Sequence, residues 1–152
     1  PVALAEIIDD CLGFIEAEAR KRHVTLKILV ADLPPVLADR LMLEQVLLNL
    51  LRNGMEAMAG TPAAQRLLLV SAIRSDDEVL VSIADNGCGI APELREKLFT
   101  AFFTTKQEGM GIGLAICRSI IEFHQGHLWV EARHEGGTVF RFTVPIEEID
   151  DE

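Results

Sequence analysis

Two asparagines four residues apart are the first candidates for chemistry in this sequence. A spacing of four places the amides of Asn49 and Asn53 on one face of a helix. Amide oxygens are hard ligands that suit Mg²⁺, an ion that proteins usually share with the phosphates of a substrate. Taken alone, the pair fits helix caps or hydrogen bonds to neighbouring loops better than it fits a metal site.

An aspartate followed by two glycines is the second candidate. Asp85 ends a predicted strand, and the segment Asp85 to Ile90 reads Asp-Asn-Gly-Cys-Gly-Ile. The carboxylate can accept a hydrogen bond from an amino group, and Gly87 and Gly89 let the backbone approach a flat ligand closely. The alternative is an ordinary Asp-Asn-Gly turn, which would be the better explanation if the segment stood alone.

Three alternating glycines form the third candidate. Gly109, Gly111 and Gly113 precede Leu114 and open a predicted helix, where free backbone N–H groups can bind an anion. The spacing is not that of a dinucleotide-binding loop, and no strand comes directly before it. Lys106 lies just upstream, either as a cation that can meet a phosphate or as an ordinary solvated lysine.

Helices and hairpin-linked strands must position these segments. Apolar residues at steps of three and four predict helices over 4–22, from an Asp39 cap to 59, and over 111–123. Strands are predicted at 25–30, 66–73, 78–84, 127–133 and 138–144. A short helix is predicted over 92–99, with proline near its start. The expected fold is an α/β two-layer sandwich, with about five mostly antiparallel strands packed against three helices.

Composition narrows the classes of function. The 152 residues carry a net charge of −10, which disfavours binding to nucleic acid or to an anionic membrane surface. Three widely spaced cysteines form no disulfide framework, so a reducing, cytoplasmic setting is expected. The sequence lacks a signal-peptide pattern and an initial methionine, and we expect a piece of a longer protein. A single domain is predicted over 1–146, followed by an acidic tail over 147–152.

The order of the segments resembles the catalytic ATP-binding domain of sensor histidine kinases, over nearly the whole chain. Residues 44–57 resemble that family's N box, 85–90 its first glycine box and 98–106 its F box. Residues 109–114 resemble its second glycine box, and 137–140 its closing Gly-Thr strand. The implied fold is the Bergerat ATP-binding fold, shared with DNA gyrase, heat-shock chaperones and mismatch-repair ATPases. The lid of this chain, residues 91–108, is short and resembles that of the oxygen- and nitrogen-sensing kinases.

The resemblance implies a role for each matching residue. Asp85 would bind the exocyclic amine of adenine, and Thr138 would support the same ring through water. Asn53 would ligate Mg²⁺, with Asn49 beside it on the phosphate side as a catalytic residue.

The remaining implied site residues lie in the two glycine boxes and beside the lid. Lys106, also catalytic, would touch the outer phosphates. The other cofactor-binding residues would be Gly87, Gly89, Ile90, Gly109, Gly111, Gly113 and Leu114. Of the lid's aromatic residues, Phe99 is expected in the core, and Phe102 and Phe103 are expected to be mobile.

The implied function is transfer of the γ-phosphoryl group of MgATP to a histidine on a separate dimerisation domain, for onward transfer to a response-regulator aspartate. None of His23, His124, His127 and His134 fits the phosphoacceptor pattern, so this chain is expected to lack its own acceptor and to be monomeric. No contact with nucleic acid or membrane is expected.

Two alternatives remain open. One is a nucleotide-binding module with little turnover that only docks a partner. The other is an ATPase of the gyrase or chaperone type, which needs an acidic base four residues before the metal-binding asparagine. Here that position is Asn49, whose amide cannot take a proton, and this argues against hydrolysis. A further departure from the family pattern is Gly54, where an alanine is usual.

Overall fold

A two-layer sandwich of helices on one sheet is the architecture of the computed structural model. It describes residues 1–94, 97–99, 113–133 and 136–147. Within these ranges, three α-helices pack against one five-stranded sheet. The predicted fold class is confirmed.

The three helices are α1 (Leu4–Lys21), α2 (Arg40–Ala57) and α3 (Gly113–Phe123). Steps of three and four place the predicted apolar residues of α1 on one side, and all of them are buried: Leu4, Ile7, Ile8, Cys11, Leu12, Ile15 and Ala19. Asp39 caps α2 as predicted, since its Oδ1 accepts the N–H of Met42 at 3.0 Å. The helix ends at Ala57, two residues earlier than predicted.

The five strands form one sheet in the order β1-β2-β3-β5-β4. Their bounds are β1 Thr25–Val30, β2 Leu67–Ser75, β3 Glu78–Asp85, β4 Leu128–Ala132 and β5 Thr138–Pro145. Only the β1–β2 pair is parallel, and the other three pairs are antiparallel. Alternate residues of β2 and β3 are fully buried against the helices. The central strand β3 therefore ends beside the helical layer.

Helix α2 lies between the other two helices. On one side, the Cys11 sulfur of α1 lies 3.8 Å from the carbonyl oxygen of Glu44. On the other side, the Cys117 sulfur of α3 lies 4.0 Å from the carbonyl oxygen of Val46. Both sulfurs are buried in one continuous apolar core. The position of α2 is therefore fixed from both sides.

The described residues of the short helix predicted over 92–99 are 3₁₀-helical. They form two short 3₁₀ turns, Pro92–Leu94 and Lys97–Phe99. Of these described residues, Phe99 packs against the core. Residues 111 and 112 of the third predicted helix lie outside the described residues.

The end of the described chain is still paired. The N–H of Glu147 donates to the carbonyl of Pro35 at 3.0 Å, and Ile146 bridges to Val36. Residues 148–152 of the predicted acidic tail lie outside the described residues, so the domain boundary stays a prediction. No helix in the described ranges is long and apolar enough to cross a membrane.

Candidate functional site

Asp85 is a buried carboxylate at the end of the central strand β3. The residue is 2% exposed, and its neighbours across the sheet are Leu68 on β2 and Thr138 on β5. Its Oδ1 accepts the N–H of Gly87 at 2.9 Å, and the N–H of Thr138 also donates to the carboxylate. The strand ends therefore hold an acceptor group in a fixed place.

Burial sets the acidity of this carboxylate. It raises the pKa of Asp85 from 3.8 to about 6, because the charged form loses its hydration. The N–H groups of Gly87 and Thr138 and the positive charge of Arg133 lower the pKa, but less than burial raises it. A buried titratable group with specific partners is typical of functional sites.

The turn after Asp85 serves the site. The bond from the Gly87 N–H to the Asp85 side chain is an Asx turn, so the ordinary turn considered from sequence is present. Asn86 fixes that turn to the start of β2, because its Oδ1 accepts the N–H of Leu67 at 3.1 Å. Its amide also donates to the carbonyl of Gln65. The turn therefore helps to hold the Asp85 carboxylate in place.

Gly87 cannot be replaced by a residue with a side chain, for a reason that the sequence did not indicate. A Cβ there would overlap the carbonyl oxygen of Ala57, the last residue of α2. The close approach that the structure shows is to helix α2, and the predicted approach to a flat ligand stays a prediction. Gly137 has a similar constraint, since its Cβ would overlap the Asp85 carbonyl oxygen and its φ is +103°. Gly89, at φ +75°, lies near the Gly137 carbonyl.

Helix α2 brings the two asparagines to the same region. Asn49 and Asn53 are both partly buried, one turn apart. Gly54, next to Asn53, faces the end of β3. A Cβ there would lie 3.7 Å from the Asp85 Cβ and 2.7 Å from the Leu68 Cδ1. The glycine therefore lets α2 approach Asp85, where an alanine would have to displace Leu68.

The start of α3 completes the described part of the site. A Cβ at Gly113 would lie 3.5 Å from the Oδ1 of Asn49, so the first turn of α3 is adjacent to that amide. A helix N-terminus carries free N–H groups that favour an anion. Lys106, Gly109 and Gly111 lie outside the described residues, so their predicted roles stay predictions.

Apolar residues of the predicted site pack beneath it. Ile90, Phe99 and Leu114 are partly buried against the core. The Phe99 ring meets the Phe140 ring edge-on at 6.4 Å between centroids, and the Arg118 guanidinium lies 4.8 Å from the Phe99 centroid. The prediction that Phe99 joins the core is confirmed. Phe102 and Phe103 lie outside the described residues.

Magnesium fits this site only as an ion shared with a phosphate. Among the described residues, no group of three or more His, Cys, Asp or Glu side chains could hold a metal ion. Asn49 and Asn53 offer amide oxygens, which suit Mg²⁺ but leave most of its shell to water and ligand oxygens. The donor set is therefore consistent with a nucleotide-bound magnesium rather than a resident metal.

His124 has a structural role, as expected from sequence. Its Nδ1 donates to the carbonyl of Ile120 at 2.7 Å, and its Nε2 accepts the N–H of Asp39 at 2.9 Å. These bonds join the end of α3 to the start of α2. His23 and His127 are exposed, and His134 lies outside the described residues.

Sequence reasoning missed two residues of the site. Arg133 lies at the end of the β4–β5 hairpin, and its Nη1 is 3.5 Å from the Asp85 carbonyl oxygen. Cys117 on α3 is buried beside α2, and the Asn49 side chain lowers the pKa of its thiol. The Gly136-Gly137 pair was a signal for a tight hairpin near the site, but no pattern in the sequence linked Cys117 to Asn49.

Comparison with known proteins identifies the family. Residues 38–148 match the family described as histidine kinase-, DNA gyrase B- and HSP90-like ATPase. This chain belongs to that ATPase family. Because the family is one of ATPases, the buried carboxylate and the paired asparagines belong to an ATP-binding fold.

Relatives of this chain include proteins named as sensor proteins and as histidine kinases. The chain is 44% identical to the C4-dicarboxylate transport sensor protein DctS of Rhodobacter capsulatus, over 94% of this chain and 22% of DctS. The catalytic domain of the histidine kinase ThkA, in a nucleotide-free form, is 36% identical with a TM-score of 0.85. That match covers 95% of this chain and 93% of the ThkA domain. ThkA has also been solved in complex with the response regulator TrrA.

A full-length protein solved with a nucleotide analogue has the same fold over these residues. ShkA in complex with AMPPNP is 28% identical, with a TM-score of 0.85, over 98% of this chain and 31% of ShkA. The chain thus spans about a fifth of DctS and about a third of ShkA. The ATPase-family domain is shared, while the rest of each relative has no counterpart in these residues.

Proposed function

We propose that this chain is the catalytic ATP-binding domain of a sensor histidine kinase. It binds MgATP and transfers the γ-phosphoryl group to a histidine on a separate dimerisation domain, which passes it to an aspartate of a response regulator. The observation that carries the proposal is the approach of α2 to the end of β3. A Cβ on Gly54, the residue after Asn53, would lie 3.7 Å from the Asp85 Cβ, and this supports placing the paired asparagines of α2 near the buried carboxylate.

The site divides into two ends in this proposal. The base end (Asp85, Gly87, Gly137 and Thr138) binds adenine, with the Asp85 carboxylate accepting from the exocyclic amine. Thr138 supports the same ring through water. Gly89 and Ile90 line this end. The fixed position of the carboxylate supports this role, because a preorganised acceptor costs little to order on binding.

The phosphate end (Asn49, Asn53 and Gly113) holds the other part of the nucleotide. Asn53 ligates the magnesium that accompanies the nucleotide, with Asn49 beside it, and the start of α3 with Leu114 adjoins the phosphates. Magnesium supplies neutralisation of phosphate charge when bound. Lys106, Gly109 and Gly111 contact the outer phosphates. Local donors are needed here because the chain carries a net charge of −10.

Transfer rather than hydrolysis is favoured by the side chain at position 49. Hydrolysis needs a base to take a proton from water, and the amide of Asn49 cannot do so. Phosphoryl transfer to a partner histidine needs mainly positioning and charge stabilisation. The kinase names of the relatives and the ThkA–TrrA complex support the same choice.

The partners follow from the proposed reaction. They are ATP, the dimerisation and phosphotransfer domain of the same full-length kinase, and a response regulator. We infer a cytoplasmic location, an isolated chain that is monomeric, and no direct contact with nucleic acid or membrane.

A transfer assay tests the proposal. The chain is mixed with the separately produced dimerisation domain of its full-length protein and with γ-labelled ATP. We expect label on that domain in an acid-labile, alkali-stable form, and none with Asn53→Ala. Release of phosphate without labelled protein would favour the ATPase alternative. Nucleotide binding with neither product would favour the docking module.

A further inference from the structure

The loop between α2 and β2, residues 58–66, is attached to the turn at the base end. The hydroxyl of Thr61 donates to the backbone carbonyl of Asn86 at 3.3 Å. The side chain of Asn86 has two further bonds to this region. Its Oδ1 accepts the N–H of Leu67 at 3.1 Å, and its amide donates to the carbonyl of Gln65. The position of Asn86 therefore depends on where this loop lies.

Arg66 is the last residue of the loop. Its guanidinium donates to three carbonyl oxygens, from Nε to Thr61 at 2.9 Å, from Nη2 to Ala59 at 3.1 Å and from Nη1 to Arg22 at 2.6 Å. A guanidinium carries five N–H donors in a fixed planar fork, so one side chain can bind carbonyls that lie in different directions. The backbone carbonyl of Arg66 accepts the N–H of Thr25, at the start of β1, at 3.0 Å. Arg66 therefore joins the loop to α1 and to the sheet.

Two of these carbonyls lie at helix ends. Arg22 is the C-cap of α1, and Ala59 comes two residues after the end of α2. The last carbonyls of a helix have no partner within it, and a basic side chain near the C-terminus can satisfy them. The N–H of Thr61 also donates to the carbonyl of Met58 at 2.9 Å, but this bond lies within the loop. The guanidinium therefore supplies the bond from the loop to α1.

We propose that Arg66 is a positioning residue that holds the α2–β2 loop in place and thereby keeps the turn after Asp85 in the geometry that binds the nucleotide base. The inference rests on the proposed function, since it assigns Asp85 to adenine. The effect passes through Asn86, which lies between Asp85 and Gly87, the residue whose N–H bonds the carboxylate at 2.9 Å. Arg66 is assigned no contact of its own with the nucleotide.

A lysine at position 66 separates this role from an effect of charge. Any positive charge near the site attracts an anionic nucleotide, and lysine supplies that charge as well as arginine does. A lysine ammonium is a single compact point on a flexible stem, so it cannot reach three carbonyls in different directions. Arg66→Lys therefore keeps the charge and loses the fork.

Arg74 offers a matched control near the other end of β2. Its Nε also donates to a backbone carbonyl, that of Asp76, at 3.1 Å. In the antiparallel pairing of β2 with β3, Arg74 lies opposite Val79, whereas Leu68 lies opposite Asp85. The two arginines thus share a strand, a charge and a bond to a carbonyl, but Arg74 belongs to the turn that is remote from Asp85.

The experiment titrates the nucleotide-free chain with AMPPNP, with and without Mg²⁺. Arg66→Met removes every donor, and we expect affinity to fall about three- to tenfold, the range of one hydrogen bond, by the same factor with and without Mg²⁺. Arg66→Lys should also lose about threefold or more, and Arg74→Met should stay within about twofold of wild type. In an Asn86→Ala background, Arg66→Met should cause less than about twofold further loss.

A second readout does not depend on nucleotide binding. The side-chain NH₂ resonances of Asn86 and the backbone N–H resonance of Gly87 should shift in Arg66→Met and in Arg66→Lys, and stay in place in Arg74→Met. If Arg66→Met does not fold, Thr61→Val replaces it, because it removes only the hydroxyl that reaches Asn86.

Three results would overturn the inference. They are full affinity in Arg66→Lys, unchanged resonances of Asn86 and Gly87, and an equal loss of affinity in the Asn86→Ala background. Failure of the wild type to bind AMPPNP would overturn the proposed function instead, and the resonances would still decide whether Arg66 positions the turn.

Discussion

The base end and the phosphate end of the site are built by different parts of the structure. At the base end, backbone N–H groups of Gly87 and Thr138 hold a carboxylate that is 2% exposed. At the phosphate end, the partly buried Asn49 side chain of α2 lies at the start of α3, where a Cβ on Gly113 would be 3.5 Å from its Oδ1. The sheet therefore fixes one end before any ligand arrives, whereas two helices set the other.

This difference predicts different responses to substitution. Substitutions at the base end should lower the stability of the fold, or lower the nucleotide affinity equally with and without Mg²⁺, because the backbone there also holds the Asp85 carboxylate. Changes at the phosphate end should affect mainly the part of the affinity that depends on Mg²⁺.

The largest expected effect is on folding, from Gly137→Ala. A Cβ there would overlap the Asp85 carbonyl oxygen, and the φ of +103° is unfavourable for alanine. We expect the free energy of unfolding to fall by roughly 3 kcal/mol, from strain and overpacking together. Urea unfolding measures it.

Gly136→Ala is the control for backbone strain alone. Its φ is +101°, but a Cβ there meets no described heavy atom within 4 Å. It should cost only about 1–2 kcal/mol. Equal losses for the two variants would mean that the approach of β5 to Asp85 does not constrain the base end.

The next largest effect is expected for Asp85→Asn. The substitution keeps the shape but replaces a charged acceptor, so affinity for an ATP analogue should fall about 10- to 100-fold. The loss should be the same with and without Mg²⁺, because the carboxylate lies at the base end. Calorimetry measures it, and an unchanged affinity would remove Asp85 from the site.

Acid should act on binding and on folding in opposite directions. Because the folded-state pKa of Asp85 is about 6, analogue affinity should fall about tenfold from pH 7 to pH 5, as the acceptor is protonated. The same raised pKa means that the carboxylate costs stability above pH 6, and this cost disappears as the pH falls toward 4. Titrations at several pH values check the first effect, and Asp85→Asn should flatten both profiles.

Asn53→Ala should have a smaller effect, confined to the phosphate end. Loss of one amide ligand should weaken binding about two- to tenfold with Mg²⁺ and hardly at all without it. Arg52→Ala is the neighbouring control, since Arg52 faces Glu18 on α1 at 3.7 Å. A similar loss for both variants, or a loss at Asn53 that ignores Mg²⁺, would contradict the metal assignment.

The two ends also differ in how far the sequence predicted them. The strand ending at Asp85 and the cap at Asp39 follow from local patterns, because strand period and capping involve neighbouring residues. The need for Gly87 could not be predicted, since its cause is Ala57 on another element. The approach of Gly113 to Asn49 arises only when α3 packs on α2. The helix predicted over 92–99 is 3₁₀ in its described residues, a distinction that the proline at its start does not make.

Titration of the wild-type chain with a non-hydrolysable ATP analogue, with and without Mg²⁺, tests the central claim most directly. We expect the isolated chain to bind the analogue more tightly when Mg²⁺ is present, because the base end is already formed and the amide oxygens act through the metal. A folded sample that binds no analogue at ligand concentrations on the order of 1 mM, the weak limit of measurable affinity, would contradict it.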